Sequence, residues 1–192
     1  MKYTGALSTA SLVGLAGCST ESGGGETPDV LMVVGYPQSG VQLFKDYYAD
    51  YGDDTVDILV TDGLQDSNLP SNVGNDMSNV QGSAPSASGP GVDTFEDLFL
   101  EEFDYDNAGV FTSQAYDASA VMILANLMAS ANDGASIRDH MRVVANPGGT
   151  TYTPSELPEA AEAAAAGENI EYAGASSNVN FDDAGDITSA QY

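Results

Sequence analysis

The chain has 192 residues, 42% of them hydrophobic, and carries four Lys or Arg against 29 Asp or Glu, a formal net charge of −25. Phosphate binding needs clustered cations, so nucleic acid is excluded as a partner, and anionic lipid surfaces are disfavoured for the same reason. Cys18 is the one cysteine, which excludes an internal disulfide.

The length fits one domain, or a domain with appendages, and the apolar fraction supplies one core. The acids are spread among apolar segments rather than blocked together, which argues for a folded protein from a very salty milieu over a disordered acidic tail. At 1 M salt the Debye length is about 3 Å, so surface repulsion is largely screened. A thermal melt should therefore move upward between dilute buffer and molar salt; an unchanged midpoint would count against a salt-adapted surface.

Residues 1–17 read as an export signal: Lys2 is the charged start, and Thr4 to Gly17 is small and apolar, with Leu7, Leu12, Val13 and Leu15. No run is long and apolar enough for a helix across a bilayer. The stretch ends in Leu15-Ala16-Gly17-Cys18, which looks like a lipobox, the signal for attaching lipid to a cysteine. Acyl chains on that thiol would anchor the chain at about 0.8 kcal/mol per buried CH₂. A stray or buried cysteine is the plainer alternative, but the distance from a charged start favours lipidation. Residues 18–27, rich in Ser and Gly, then read as a flexible tether, disordered like the signal before it.

The globular part is expected over residues 28–192. Val30 to Val34 is a continuous apolar run, the mark of a strand covered on both faces. Pro37 suits the first turn of a helix, in which Val41, Phe44, Tyr48 and Tyr51 follow roughly helical spacing until Gly52. Val56 to Val60 is a second strand, ending in Thr61-Asp62-Gly63. The pattern is a βαβ unit. In open α/β sheets ligands sit outside the carboxyl ends of the strands. Those ends carry the phenol of Tyr36 and the carboxylate of Asp62, a pair suited to a small cationic group through charge and cation–π attraction.

Asp66 to Met77 reads as a short helix or loop, and Ser78 to Pro85 as a short third strand leading into the loop of residues 86–91. Val92 to Phe103 is a helix. The longest helix spans about Thr112 to Ser130, with Ala118, Val121, Met122, Ala125 and Met128 in its apolar period. A further helix carries Ile137, Met141, Val144 and Ala145 and halts at Asn146-Pro147. Pro154 to Ala166 is an Ala/Glu helix. Asn169 to Ala173 and Val179 to Phe181 are short strand candidates.

Other motifs weigh toward plain readings. Asn178-x-Asn180-x-Asp182 has the acid spacing of a calcium loop with the glycine misplaced, so a hairpin turn is expected and no metal. His140, between Arg138 and Arg142, has no second group to form a dyad. Ser176 and Ser177 lack the Gly-x-Ser-x-Gly elbow. Gly89-Pro90-Gly91 lacks the lysine of a phosphate cradle. Met122, Met128 and Met141 are expected in the core. No catalytic constellation and no cofactor is read.

The order of several motifs resembles the substrate-binding lipoproteins of ABC importers of the branched-chain amino acid type. They run from Pro28-Asp-Val-Leu-Met-Val-Val-Gly-Tyr-Pro through Val60-Thr-Asp-Gly, Asn79-Val-Gln-Gly-Ser-Ala-Pro and Ser113-Gln-Ala-Tyr-Asp-Ala. Ile137-Arg-Asp, Val144-Ala-Asn-Pro-Gly, Tyr172-Ala-Gly-Ala-Ser and Val179-Asn-Phe-Asp-Asp-Ala-Gly-Asp complete the series. The resemblance implies a type I periplasmic-binding fold: a mostly parallel sheet flanked by helices. It implies that Asp62 receives the ligand ammonium, that Tyr36 lines the same side, and that Phe111 matches an aromatic at the pocket wall. It implies permease subunits as partners, an amino-acid ligand, and contact with the membrane only through a lipid anchor on its outer face.

Members of that family are longer, with two lobes that close on the ligand. The chain matches only part of the second lobe, so a partial lobe that binds free amino acids weakly or not at all is expected. A zwitterion needs partners for both charges and exclusion of water by closure. A surface module that uses the same lobe for sensing or interaction is the alternative.

Overall fold

A computed structural model describes residues 28–52, 56–105 and 107–192. The signal, the tether and Cys18 lie outside the described residues. The described chain is mixed α/β, with six α-helices and short parallel strands in two small sheets.

The first sheet has three parallel strands in the order β1 (Val30–Val33), β2 (Asp57–Val60) and β3 (Val80–Gly82). Between β1 and β2 runs α1 (Pro37–Tyr51), and between β2 and β3 runs the short α2 (Leu69–Val73). Pro37 opens α1 where its missing N–H costs no hydrogen bond, and the Tyr36 carbonyl accepts from Ser39 N at 3.1 Å and Gly40 N at 2.8 Å. Gly52, at φ 75°, closes α1 in a conformation open to glycine. Phe44 of α1 and Ile58 of β2 are buried with Leu64, Leu69, Val73 and Met77 in one core.

The register pairs Leu31 with Ile58 and Val33 with Val60, and these four side chains face the helices or pack against that core. The opposite face carries Val30, Met32 and Leu59, which are 49%, 70% and 45% exposed. The continuous apolar run of β1 therefore does not mark a strand covered on both faces. Both described helices of this unit pack on one side, and side chains alternate across a strand, so the other half of the run faces outward.

The second sheet pairs β4 (Thr150–Tyr152) with β5 (Ile170–Tyr172), parallel and in register from Thr150–Ile170 to Tyr152–Tyr172. A 3₁₀ turn, Pro154–Glu156, and α6 (Leu157–Ala165) connect them. The strand β4 lies outside the expected elements, whereas β5 falls inside the expected Asn169–Ala173. Instead of a strand over 179–181 there is a single antiparallel bridge from Phe181 to Ile187.

Against this pair pack α4 (Thr112–Ala129) and α5 (Gly134–Ala145). The α5 N-terminus is capped by Asp133, whose carboxylate accepts from Ala135 N at 3.1 Å and Ser136 N at 3.0 Å. Ala120, Val121, Leu124 and Ala125 of α4 join Val144, Ala145, Ala160, Ala164, Ile170 and Tyr172 in the second core. The buried stripe of α4 is rotated from the expected one: Met122 is 51% exposed, while Met128 and Met141 pack against the core edge.

The remaining helix, α3 (Val92–Glu102), follows the loop at 86–91. That loop docks on the segment after β5 through Ser88 N to Ser176 O, Gly89 N to Ala175 O and Gly91 N to Gly174 O, at 2.9–3.0 Å. A side chain at Gly89 would meet the backbone of Gly174 and Ala175, so glycine is required by close approach rather than by phosphate binding. Among the described residues no helix is long and apolar enough to cross a membrane.

Candidate functional site

The carboxyl ends of β1 and β2 turn next to one another. Gly35 and Tyr36 leave β1 into α1; Thr61 leaves β2 into the 3₁₀ turn Asp62–Leu64. A Cβ placed on Gly63 would lie 2.5 Å from the Gly35 carbonyl oxygen and 3.5 Å from two carbons of the Tyr36 ring. The two turns are thus in van der Waals contact, and the ring of Tyr36 rests against the residue that follows Asp62. Gly40 makes a matching approach inside, since a Cβ there would fall on the side chain of buried Leu64. Glycine at 40 and at 63 brings helix, turn and strand tips together.

Within this arrangement Tyr36 is 71% exposed and Asp62 is half-buried. The Asp62 Oδ1 accepts from Gly63 N at 2.9 Å, which fixes the carboxylate over its own turn. The turn leads into a cavity of about 480 Å³ at the ends of β2 and β3, lined by Thr61 and Leu64 on either side of Asp62-Gly63 and by Gln65, Asp66, Met77 and Ala84. Phe111 is not beside this pair. It lines a second cavity of about 230 Å³ with Ser86, Glu96 and Gln114, which shares Gln65 and Ala84 with the first. Phe111 precedes α4 with φ 68°, a left-handed conformation uncommon for an aromatic residue. The structure therefore joins Tyr36 to Asp62 at one pair of strand tips and sets Phe111 apart, across two hollows with common walls.

Chemically, the strand tips present an acceptor-only carboxylate and an exposed aromatic face toward solvent, a combination that attracts an ammonium group. Sequence pattern alone did not single out the buried carboxylate of Asp117 on α4, which is 2% exposed. Its Oδ1 accepts from Tyr172 Oη and Ala175 N, both at 2.9 Å, and its Oδ2 from Ser176 N at 2.7 Å and from Ser176 Oγ. Four donors compensate the burial of one charge. Burial first, and then the Asp117 charge, push the Tyr172 phenol far above its usual range, and the same two causes raise Tyr116.

The Asp117 cluster holds the segment 173–176 against α4, and Gly174 lets it approach, since a Cβ there would overlap the carboxylate. A signal for this was present in the sequence. Asp117 lies three, four and seven residues before Ala120, Val121 and Leu124, so helical spacing puts it on the buried stripe.

The remaining sequence candidates occupy structural places. Asp182 Oδ1 accepts from Ala184 N, Gly185 N and Asp186 N at 2.8–3.0 Å, a carboxylate closing a turn. Those backbone donors, led by Asp186, hold its carboxyl below the usual range. His140 Nδ1 lies 2.8 Å from Ser136 O, one turn back on α5. Ser176 serves Asp117 rather than a nucleophile elbow.

Comparison with protein-family models, with characterised proteins and with solved structures returned no match.

Proposed function

We propose that the chain is a partial lobe of an extracellular solute-binding component for an ABC importer of branched-chain or related amino acids, with impaired binding. The observation that supports this is the contact between the Gly35-Tyr36 and Asp62-Gly63 turns at the carboxyl ends of adjacent parallel strands. In an open α/β sheet that is where a ligand binds, and here the groups offered suit an ammonium. The fold carried is that of a type I periplasmic-binding lobe, and Cys18 is the lipid attachment point for a chain held at the outer face of the cytoplasmic membrane.

Among the described residues the strand tips meet the ligand ammonium, but no Lys or Arg lines the neighbouring cavity to meet its carboxylate. Affinity for a free amino acid is therefore weak. A titration with leucine in molar salt, followed by NMR shifts of the Tyr36 ring, tests this. Millimolar saturation that is lost in Asp62→Asn supports the reading. Micromolar affinity overturns the impaired part of it, and ligand shifts unaffected by Asp62→Asn overturn the site.

A second reading is favoured by one observation. Val30, Met32 and Leu59 form an exposed apolar sheet face on and beside β1, the edge strand of this sheet among the described residues, and such faces and edges invite another polypeptide. On that reading the chain is a cell-surface sensing or interaction module built on the same lobe.

A further inference from the structure

The two hollows beside the strand tips adjoin. The first, of about 480 Å³, lies at the ends of β2 and β3, and the second, of about 230 Å³, lies at Phe111; Gln65 and Ala84 line both. The chain leaving β3 passes them in turn, with Ser83 and Ala84 in the first lining and residues 84–87 in the second. At the shared wall the main-chain N–H and C=O of Ala84 have no hydrogen-bond partner among the described residues.

Each hollow also has an uncommon backbone conformation in its lining. Four described residues other than glycine have positive φ, and two of them stand here, Met77 at 54° in the first hollow and Phe111 at 68° in the second. Left-handed backbone at such residues is costly and gathers where ligands are held.

The linings narrow the chemistry. Asp66 and Asp76 line the first hollow and Glu96 the second, and no described Lys or Arg lines either. A free amino acid carries its carboxylate next to its ammonium, so here that carboxylate meets acids and no cation. A peptide with a free N-terminus keeps the ammonium and moves the carboxylate several residues away. Its amide groups find donors and acceptors in the side chains of Gln65 and Gln114 and in the main chain of Ala84. In an extended peptide, side chains two residues apart point to the same side and can enter adjoining hollows. We propose that this site takes a short peptide with a free N-terminus rather than a single amino acid. Its ammonium sits at the Asp62 turn, its first and third side chains enter the two hollows, and its main chain crosses the wall at Gln65 and Ala84. The inference rests on the strand-tip reading and names the ligand class for it.

The test titrates the full chain in molar potassium chloride, followed by NMR, with leucinamide, Leu-Ala-Leu amide and Leu-Leu-Ala amide. All three carry one ammonium and no carboxylate, and the two tripeptides share one composition. Leu-Ala-Leu amide should bind about tenfold tighter or better than leucinamide, since a second leucine side chain leaves water. Leu-Leu-Ala amide, which turns its second leucine to the opposite side, should gain little. Leucine itself should bind no tighter than leucinamide, and maltotriose, a neutral polar chain, should not saturate. Leu-Ala-Leu amide should move the Phe111 ring signals and leucinamide should not. Ala87→Phe, which adds bulk to the second lining, should remove the tripeptide's gain and leave leucinamide unchanged; circular dichroism checks its fold. Asp62→Asn should weaken both leucinamide and the tripeptide. If it does so while the two tripeptides bind equally, Phe111 stays unmoved or maltotriose binds as well, the strand-tip reading stands and this inference falls. If leucinamide is indifferent to Asp62→Asn, or no guest saturates, the strand-tip reading falls and this inference with it.

Discussion

The two cores of the chain are finished to different degrees. In the unit of α4, α5, α6, β4 and β5, twelve described residues are buried together and a carboxylate in the interior has four hydrogen bonds. In the unit of β1 to β3, six described residues are buried and the sheet is covered on one face. The first unit buries more apolar residues and fully pairs its interior carboxylate, although Met122, Ile123 and Val143 stay about half-exposed and Asn180 Oδ1 is buried with no hydrogen-bond partner. The second leaves Met32 and Leu59 exposed and carries the ligand-facing candidates Tyr36 and Asp62 on its open tips. Surface that a fold leaves unburied lowers its stability and is also where binding becomes possible. The contrast separates a part that supports from a part that is free to engage something else.

The sharpest way to break this contrast is Asp117→Ala. It removes the acceptor of Tyr172 Oη, Ala175 N and both Ser176 donors at once. Each buried donor left without a partner costs about 1–3 kcal/mol, so a loss of about 4 kcal/mol or more is expected by denaturant unfolding. Hydrogen exchange should show it in α4 and β5, with α1 and β2 keeping their protection. If both units lose protection together, the chain is one cooperative body and the contrast between cores is not energetic.

A second measurement uses alkali. The Tyr172 phenol is raised by burial and by Asp117, and Tyr116 is raised by the same causes. A tyrosine whose folded value lies above its unfolded one, about 10, binds its proton more tightly when folded. The stability this contributes is fully present below about pH 10 and is lost as pH rises past it. The α4–β5 unit should therefore unfold in alkali, monitored by far-ultraviolet circular dichroism against pH. Tyr172→Phe should remove much of that pH dependence. It should also cost about 1.5–3 kcal/mol at neutral pH, the hydrogen bond to a charged acceptor being lost. An alkaline limb unchanged in Tyr172→Phe would mean that other groups govern it.

How far the sequence could be read follows the same division. Periodicity and terminators placed α1 from Pro37 to Gly52, and the Asn146-Pro147 stop placed the end of α5, because these depend on neighbours along the chain. The exposure of Met32 was not legible, since a run of apolar residues does not say whether anything covers its second face. Met122 was misplaced and Asp117 passed over by one error. Alanine is so frequent in α4 that its apolar stripe could be drawn at more than one rotation, and the buried acid that fixes the rotation was not used to choose between them. The contact between Tyr36 and the turn after Asp62 was suggested by two strands ending in turn residues, but the separation of Phe111 was not. The position of Phe111 depends on how the loop at 86–91 docks α3 onto the second sheet, a contact between segments nearly ninety residues apart.

The smallest expected effect addresses the candidate site itself. Gly63→Ala puts a methyl group 2.5 Å from the Gly35 carbonyl oxygen and against the Tyr36 ring. Backbone must shift to admit it, and overpacking of this kind costs about 1–3 kcal/mol. Hydrogen exchange should report the loss in β1, β2 and α1 alone, the reverse of Asp117→Ala. Because the turns are forced apart, the Tyr36 ring should also leave its position over the Asp62 turn, seen as a chemical-shift change of its ring protons. A Gly63→Ala protein with unchanged Tyr36 shifts would show that the two strand tips are held together by something other than this glycine contact. It would also remove the geometric reason for treating Tyr36 and Asp62 as one site.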